Sequence, residues 1–165
     1  RDETDSDDAE VISMTKLLED VVNEGRALSL GRHVITLEAC RASLVGEPSD
    51  IRSAAMNLVS NAVRYTPEGG RIDVRWFRTS SGAVLSVKDT GIGIEEKHIP
   101  RLTERFYRVD KGRSRSTGGT GLGLAIVKHV CRSAGGQLKI ESTPGKGSTF
   151  SMVFPKSRIF DDESV

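Results

Sequence analysis

Asn57 and Asn61 stand four residues apart, with Arg64 three further on, along one side of a segment whose apolar residues repeat at helical spacing. Asn is a mediocre helix former, so a mid-helix pair asks for a reason beyond propensity. An Asn amide oxygen is a hard ligand suited to Mg²⁺, which favours oxygen donors and keeps several waters beside phosphate oxygens. Arg64 would then steady phosphate charge, although the same residues taken alone read equally as a polar helix face. Asp89-Thr90-Gly91-Ile92-Gly93 closes an apolar run. Its glycines let backbone approach a ligand closely, and its carboxylate can accept a hydrogen bond from an exocyclic amine such as that of adenine. A dinucleotide fingerprint is excluded, because Glu96 stands where the third glycine belongs.

Gly118-Gly119-Thr120-Gly121-Leu122-Gly123-Leu124 runs into a helical pattern. Free backbone N–H groups at a helix start, with the macrodipole, suit a di- or triphosphate. The Lys-[Ser/Thr] pair of a Walker loop is missing here, and Ile140 occupies the first-glycine position ahead of Gly145-Lys146-Gly147-Ser148-Thr149. Before the glycine run lies a basic segment with Arg105, Arg108, Lys111, Arg113 and Arg115 beside Phe106 and Tyr107. Such a segment could fold over a nucleotide as a lid. Without an RNA-recognition or helix-turn-helix pattern, it does not point to nucleic acid.

These residues need elements to hold them. Leu17, Leu18, Val21, Val22, Ala27 and Leu28 predict a helix over residues 15–28, followed by two short strands, around 34–37 and 44–45, meeting near Arg41. Pro48 opens a second helix whose apolar stripe is Ile51, Ala55, Leu58, Ala62 and Tyr65, and Thr66, Pro67 and Gly69-Gly70 stop it. Residues 71–78 and 83–89 read as a hairpin, 96–105 as a short helix, and 107–119 as a loop without apolar periodicity. A helix over 122–133 and strands at 137–141 and 148–154 complete the pattern. This order predicts an α+β sandwich with helices layered on one face of a mixed, mostly antiparallel sheet.

A chain of 165 residues with 36% hydrophobic content fits one domain. Its net charge of +1 conceals an asymmetry: residues 1–10 carry −5 and residues 156–165 carry −1, which leaves +7 on 11–155. A basic body suits an anionic ligand. Residues 1–9 read as an acidic linker, 10–155 as the domain, and 156–165 as a polar tail. No apolar run approaches the roughly 20 residues of a membrane helix. Arg at position 1 and the lack of a leader pattern suggest a piece of a longer protein. Cys40 and Cys131 have no paired metal or redox spacing and are expected to be buried thiols.

Taken in order, NLVSNAVRYTP, DTGIG, ERFYRVD, GGTGLGLAIVK and GSTFSMVFP resemble the N box, the first glycine box, the F box and the two later glycine boxes of bacterial sensor histidine kinases. The resemblance covers about residues 10 to 155 and implies the Bergerat fold shared with gyrase, Hsp90 and mismatch-repair ATPases. Within the family, the stretch from His98 to His129 is most similar to the phosphate-regulon kinases of proteobacteria. It implies ATP and Mg²⁺ as cofactors, with Asn61 on the metal and Asn57 supporting the same phosphate region. Arg64 and Tyr65 would line the nucleotide, and Asp89 would read the adenine amine in a pocket shaped by Gly91, Gly93 and Ile94. Arg105 and Arg108 would be lid or phosphate-contacting residues with a catalytic part beside Asn57, Asn61 and Arg64, Tyr107 and Lys111 would line the nucleotide, and Gly119, Thr120, Gly121, Leu122, Gly123 and Leu124 would close on the phosphates. Thr149 would sit with Phe150 beneath the adenine.

Hydrolytic relatives place a Glu four residues before the metal-binding Asn, as general base, and here that residue is Asn57. The resemblance therefore implies transfer of the γ-phosphoryl group rather than hydrolysis. The acceptor histidine of the family is followed by an acidic residue, whereas His33, His98 and His129 precede Val34, Ile99 and Val130. Self-phosphorylation is not expected. The implied partners are a dimerisation domain carrying the phosphoacceptor histidine and a response regulator, with neither nucleic acid nor direct membrane contact. The domain alone would be monomeric, and its parent a homodimeric kinase anchored in the inner membrane with this domain in the cytoplasm. A nucleotide-sensing or docking module, and a serine kinase of the anti-sigma type, are the alternatives.

Overall fold

The computed structural model describes residues 9–105, 107 and 123–161. In chain order its elements are β1 (Glu10–Ser13), α1 (Met14–Ser29), β2 (Val34–Ala39), β3 (Ala42–Gly46), α2 (Pro48–Tyr65), β4 (Arg71–Thr79), β5 (Gly82–Asp89), a 3-10 turn at Glu96–Arg101, α3 (Gly123–Ser133), β6 (Gln137–Thr143), β7 (Gly147–Pro155), a second 3-10 turn at Lys156–Arg158, and β8 (Ile159–Asp161). A five-stranded sheet has the order β2-β4-β5-β7-β6. Only the β2–β4 pair is parallel. The helices pack on one face of it, with α2 between α1 and α3. This is the mixed, mostly antiparallel α+β arrangement that the sequence predicts.

Strand alternation sorts the two faces. Ile72, Val74 and Trp76 of β4 align with Leu85 and Val87 of β5 and with Phe150, Met152 and Phe154 of β7 in one buried layer. They meet Ile51, Ala55, Leu58 and Ala62 of α2. The opposite face carries Thr36, Asp73, Lys88, Thr149 and Glu141 in one cross-strand row. A sheet covered on one face needs this apolar-in, polar-out pattern. Cys131 lies in the core, where burial pushes its thiol up to about 12, and Cys40 is half-buried.

The strands expected around 34–37 and 44–45 run over Val34–Ala39 and Ala42–Gly46, and they do not pair with each other. β2 joins the large sheet, and β3 joins β1 and β8 in a separate three-stranded sheet. The two residues between them, Cys40 and Arg41, lack the positive-φ residues that a two-residue hairpin needs. Trp76 ties the two sheets together. Its ring is buried edge-on to Phe154, and its indole N–H donates to the Ala42 carbonyl at 2.9 Å. Trp76→Phe is expected to lower unfolding stability by about 1–3 kcal/mol, since it leaves a buried carbonyl without its donor and opens a small void. Urea melts would test this, and an unchanged midpoint would remove the indole from the account of how the sheets are joined.

Two further stretches depart from expectation. The polar tail expected from residue 156 instead forms a 3-10 turn and then β8, which pairs with β3 and buries Ile159. One buried residue among polar neighbours leaves no readable period. The helix expected over 96–105 is a 3-10 turn ending at Arg101. Pro100 has no N–H to return to the residue-96 carbonyl, so an α-helical turn there would lack a bond.

Candidate functional site

α2 is built to hold side chains along one line. Glu47 caps it by accepting from the Asp50 N–H at 2.8 Å, and Pro48 supplies its first turn. At the other end Pro67 disfavours helical geometry in the residue before it, and Thr66 is extended at φ −106° and ψ 121°. Between these ends Asn57, Asn61, Arg64 and Tyr65 are half-exposed beside the buried stripe. Asn57 donates from Nδ2 to the Ser53 carbonyl at 3.0 Å, which turns its amide back along its own helix. Asn61 Oδ1 meets Arg64 at 3.4 Å, and the Arg64 guanidinium lies 5.9 Å from the centre of the Tyr65 ring.

Asp89 ends the central strand β5 on the face toward the helices, with its side chain buried. Its Oδ1 accepts from the Gly91 N–H at 2.8 Å and from the Ser148 N–H at 3.2 Å. Among the described residues, Oδ2 receives no hydrogen bond. Desolvation raises the Asp89 pKa, and the two backbone donors only partly oppose that rise. The carboxylate is thus aimed by one oxygen and left with an acceptor on the other.

The turn after Asp89 is stitched in place from both sides. Ile92 N–H donates to the Tyr65 carbonyl at 3.2 Å, Ile94 N–H to Ser142 Oγ at 2.8 Å, and Gly145 N–H to the Ile92 carbonyl at 2.7 Å. Gly91 and Gly93 are required here. A Cβ on Gly91 would fall 2.5 Å from the Tyr65 carbonyl oxygen and 2.8 Å from Asp89 Oδ1. At Gly93, with φ +75°, a Cβ would collide with the Thr143 carbonyl.

The Asp89 turn is therefore fastened to the end of α2, and the asparagines lead away from it. By helical rise, Asn61 and Asn57 lie about 6 and 12 Å from Tyr65 along the axis. At the far end, a Cβ on Gly123 would come 3.0 Å from Asn57 Oδ1, so the start of α3 abuts the asparagine row. Leu124 packs against the core beside it. One continuous path runs from a buried carboxylate, past an aromatic ring and a cation, to amide oxygens and the beginning of a helix.

The remaining expected residues are placed as follows. Tyr107 bonds through its hydroxyl to His98 Nδ1 and lies under the Arg101 guanidinium at 4.3 Å, anchored to the 3-10 turn. Arg105 is exposed. Arg108, Lys111, Gly119, Thr120, Gly121 and Leu122 lie outside the described residues. Thr149 needs correction as a nucleotide contact: strand alternation puts it in the row with Lys88 and Glu141, on the face opposite Asp89. Its neighbour Ser148 takes the inward position and donates its N–H to Asp89.

Ser142, Ser148 and His33, not anticipated from sequence, also serve the site. Ser142 Oγ accepts from Ile94 N–H and lies 2.7 Å from Ser148 Oγ, which joins the turn to the β6–β7 hairpin. His33 Nε2 lies 2.6 Å from the Thr66 carbonyl, and its Nδ1 lies 2.8 Å from Ser29 Oγ. A carbonyl only accepts, so the Nε2–H is the donor to Thr66, and the other ring nitrogen pairs with the Ser29 hydroxyl. Thr66 itself is buried. No spacing rule could have found these, because each acts across 33 to 59 residues of chain.

The donor set fits a hard cation only in company. Among the described residues no group of three His, Cys, Asp or Glu side chains converges on a metal position. Asn61 offers one neutral oxygen, which among the described residues accepts only the long hydrogen bond from Arg64. That suits Mg²⁺ arriving on phosphate oxygens with its own waters, not a resident ion in a protein cage.

The family model described as histidine kinase-, DNA gyrase B- and HSP90-like ATPase matches residues 46–158. The phosphate regulon sensor protein PhoR of Pseudomonas aeruginosa is 52% identical over 158 residues, covering 94% of this chain and 36% of that protein. The corresponding protein of Haemophilus influenzae is 49% identical over 113 residues, 68% of this chain and 27% of its own length. The chain thus spans about a third or less of these curated relatives. Among solved structures, the mycobacterial sensor histidine kinase MprB aligns with TM-score 0.78 at 28% identity, covering 88% of this chain and 96% of that one. Together with the site geometry, these matches show that the chain belongs to the histidine kinase-, DNA gyrase B- and HSP90-like ATPase family, as a catalytic domain typical of histidine protein kinases.

Proposed function

We propose that Mg-ATP lies along α2 with its adenine at Asp89 and its phosphates toward Asn61, Asn57 and Gly123, and that its γ-phosphoryl group passes to a histidine on a separate helical domain of the same kinase. The observation that carries this is Asp89, buried, fixed through Oδ1 by two backbone donors and open at Oδ2. Few ligand groups match a single free carboxylate oxygen of a buried, backbone-held Asp better than an exocyclic amine. Asn61 would hold Mg²⁺ beside the phosphates, where the ion would supply positive charge against the charge that develops during transfer. Asn57, turned onto Ser53, is no general base, so water near the γ-phosphate is not activated. An imidazole nitrogen of the partner domain would form the N–P bond as the bond to the bridging oxygen breaks, and ADP would leave. The chain's contribution is positioning and charge neutralisation.

Similarity to phosphate regulon sensor proteins supports a role in phosphate-limitation signalling, with a response regulator as the final acceptor. The same similarity supports membrane anchoring by other parts of the parent kinase; among the described residues no helix is long and apolar enough to span a bilayer. The test mixes this chain, γ-labelled ATP and the helical hairpin domain of its own kinase. Acid-labile label is expected on the hairpin and none on this chain incubated alone. Strong labelling of the chain by itself would sink the reading.

A further inference from the structure

We infer that the Thr66 hydroxyl is a second adenine-reading group, donating to the ring nitrogen beside the amine that Asp89 accepts, directly or through one water. This rests on the proposed reading that the Asp89 pocket takes the base of ATP. Among the described residues, Thr66 Oγ1 is the one buried side-chain oxygen or nitrogen without a hydrogen-bond partner. The residue is 4% exposed. A buried hydroxyl left unpaired is costly, so its partner is expected to be a group that enters the pocket.

Its direction is set by its surroundings. Pro67 holds Thr66 extended, and the His33 Nε2–H binds its carbonyl at 2.6 Å. The methyl group packs closely on Gly70, where no side chain interferes. The hydroxyl is thereby turned toward Gly91. The point where a Gly91 Cβ would stand is 3.1 Å from Thr66 Oγ1 and 2.8 Å from Asp89 Oδ1. The Thr66 hydroxyl and the fixed carboxylate therefore converge beside Gly91, close enough to each other that only a glycine fits there.

The pair has the polarity of one edge of adenine. That edge offers an amine hydrogen and, next to it, a ring nitrogen that accepts. Asp89 can only accept when ionised, and the Thr66 hydroxyl can donate. Guanine presents a carbonyl oxygen and an N–H there, which would set an oxygen against the carboxylate. Thr66 would thus add to adenine selectivity by satisfying an atom that Asp89 does not reach.

Calorimetric titration with ADP and with 1-deaza-ADP, in which a C–H replaces the ring nitrogen, tests the assignment. The proteins are wild type, Thr66→Val and Thr66→Ser. Val keeps the shape and removes the hydroxyl, while Ser keeps the hydroxyl. We expect Thr66→Val to bind ADP about tenfold more weakly and Thr66→Ser to stay within about twofold of wild type. Wild type should lose a similar factor on 1-deaza-ADP, and Thr66→Val should lose nothing further. Wild-type ADP binding with equal affinity in a folded Thr66→Val variant would overturn the Thr66 assignment and leave the Asp89 reading intact. Undetectable ADP binding by the wild type would overturn both.

Discussion

Asp89→Asn should weaken ADP binding at least about a hundredfold without weakening the fold. The Gly91 and Ser148 N–H groups both point at Oδ1, so the amide oxygen of Asn would take that position. Its NH₂ would then stand where Oδ2 was and face the exocyclic amine donor to donor. Loss of a charge-assisted bond and creation of a buried clash together amount to roughly 3 kcal/mol or more. Stability should move the other way. Burial raises the Asp89 pKa above its ordinary 3.8, so the folded chain holds this proton more tightly than the unfolded chain. The associated stability is present below 3.8 and declines as pH rises through the folded value, which makes the ionised carboxylate a cost at neutral pH. A neutral Asn removes that cost, and its melting temperature at neutral pH should equal or exceed that of wild type. ADP affinity should also fall on acidification, beginning above the ordinary carboxylate range, because the proton competes with the amine for Oδ2. Titrations across pH, paired with thermal melts, give both readouts. Retained affinity in a folded variant would remove Asp89 from base recognition.

Asn61→Ala carries the second large effect, and it should fall on the metal rather than on the base. For wild type, ATP affinity should rise when Mg²⁺ replaces chelator, if Asn61 Oδ1 is the oxygen that the proposed site offers the ion. Without that oxygen the Mg²⁺ enhancement should vanish, while ADP binding in chelator stays near wild type. Transfer to the helical hairpin should drop by about 10²- to 10³-fold, the range seen when one preorganised charge-stabilising contact is removed. Arg64 is released in the same variant from its 3.4 Å contact. Arg64→Ala serves as the control and should leave the Mg²⁺ dependence in place. An Asn61→Ala protein whose ATP affinity still responds to Mg²⁺ as wild type does would place the ion elsewhere.

Much of this was legible in the chain of letters, for reasons that are local. The Asn57/Asn61/Arg64 row follows from helical geometry, and the helix follows from Pro48, the apolar stripe and Pro67. DTGIG at a strand end follows from the apolar run before it, and the two glycines that the string contains are the ones that steric contact demands. Five short motifs in fixed order sufficed for the family, because each encodes a local backbone conformation or a side chain at fixed pitch. Tertiary structure decided what depends on distant partners. That Asp89 is held by Ser148, that Ser142 ties down Ile94, and that Thr66 is buried unpaired beside Gly91 arise from β5–β7 pairing and from α2 docking across it. The parting of β2 from β3, and the capture of Ile159 by β3, turned on edge strands competing for partners, which no window of sequence contains. Thr149 shows the boundary most plainly: its motif identified the strand, and a period of two placed its neighbour, not Thr149, on the side of the site.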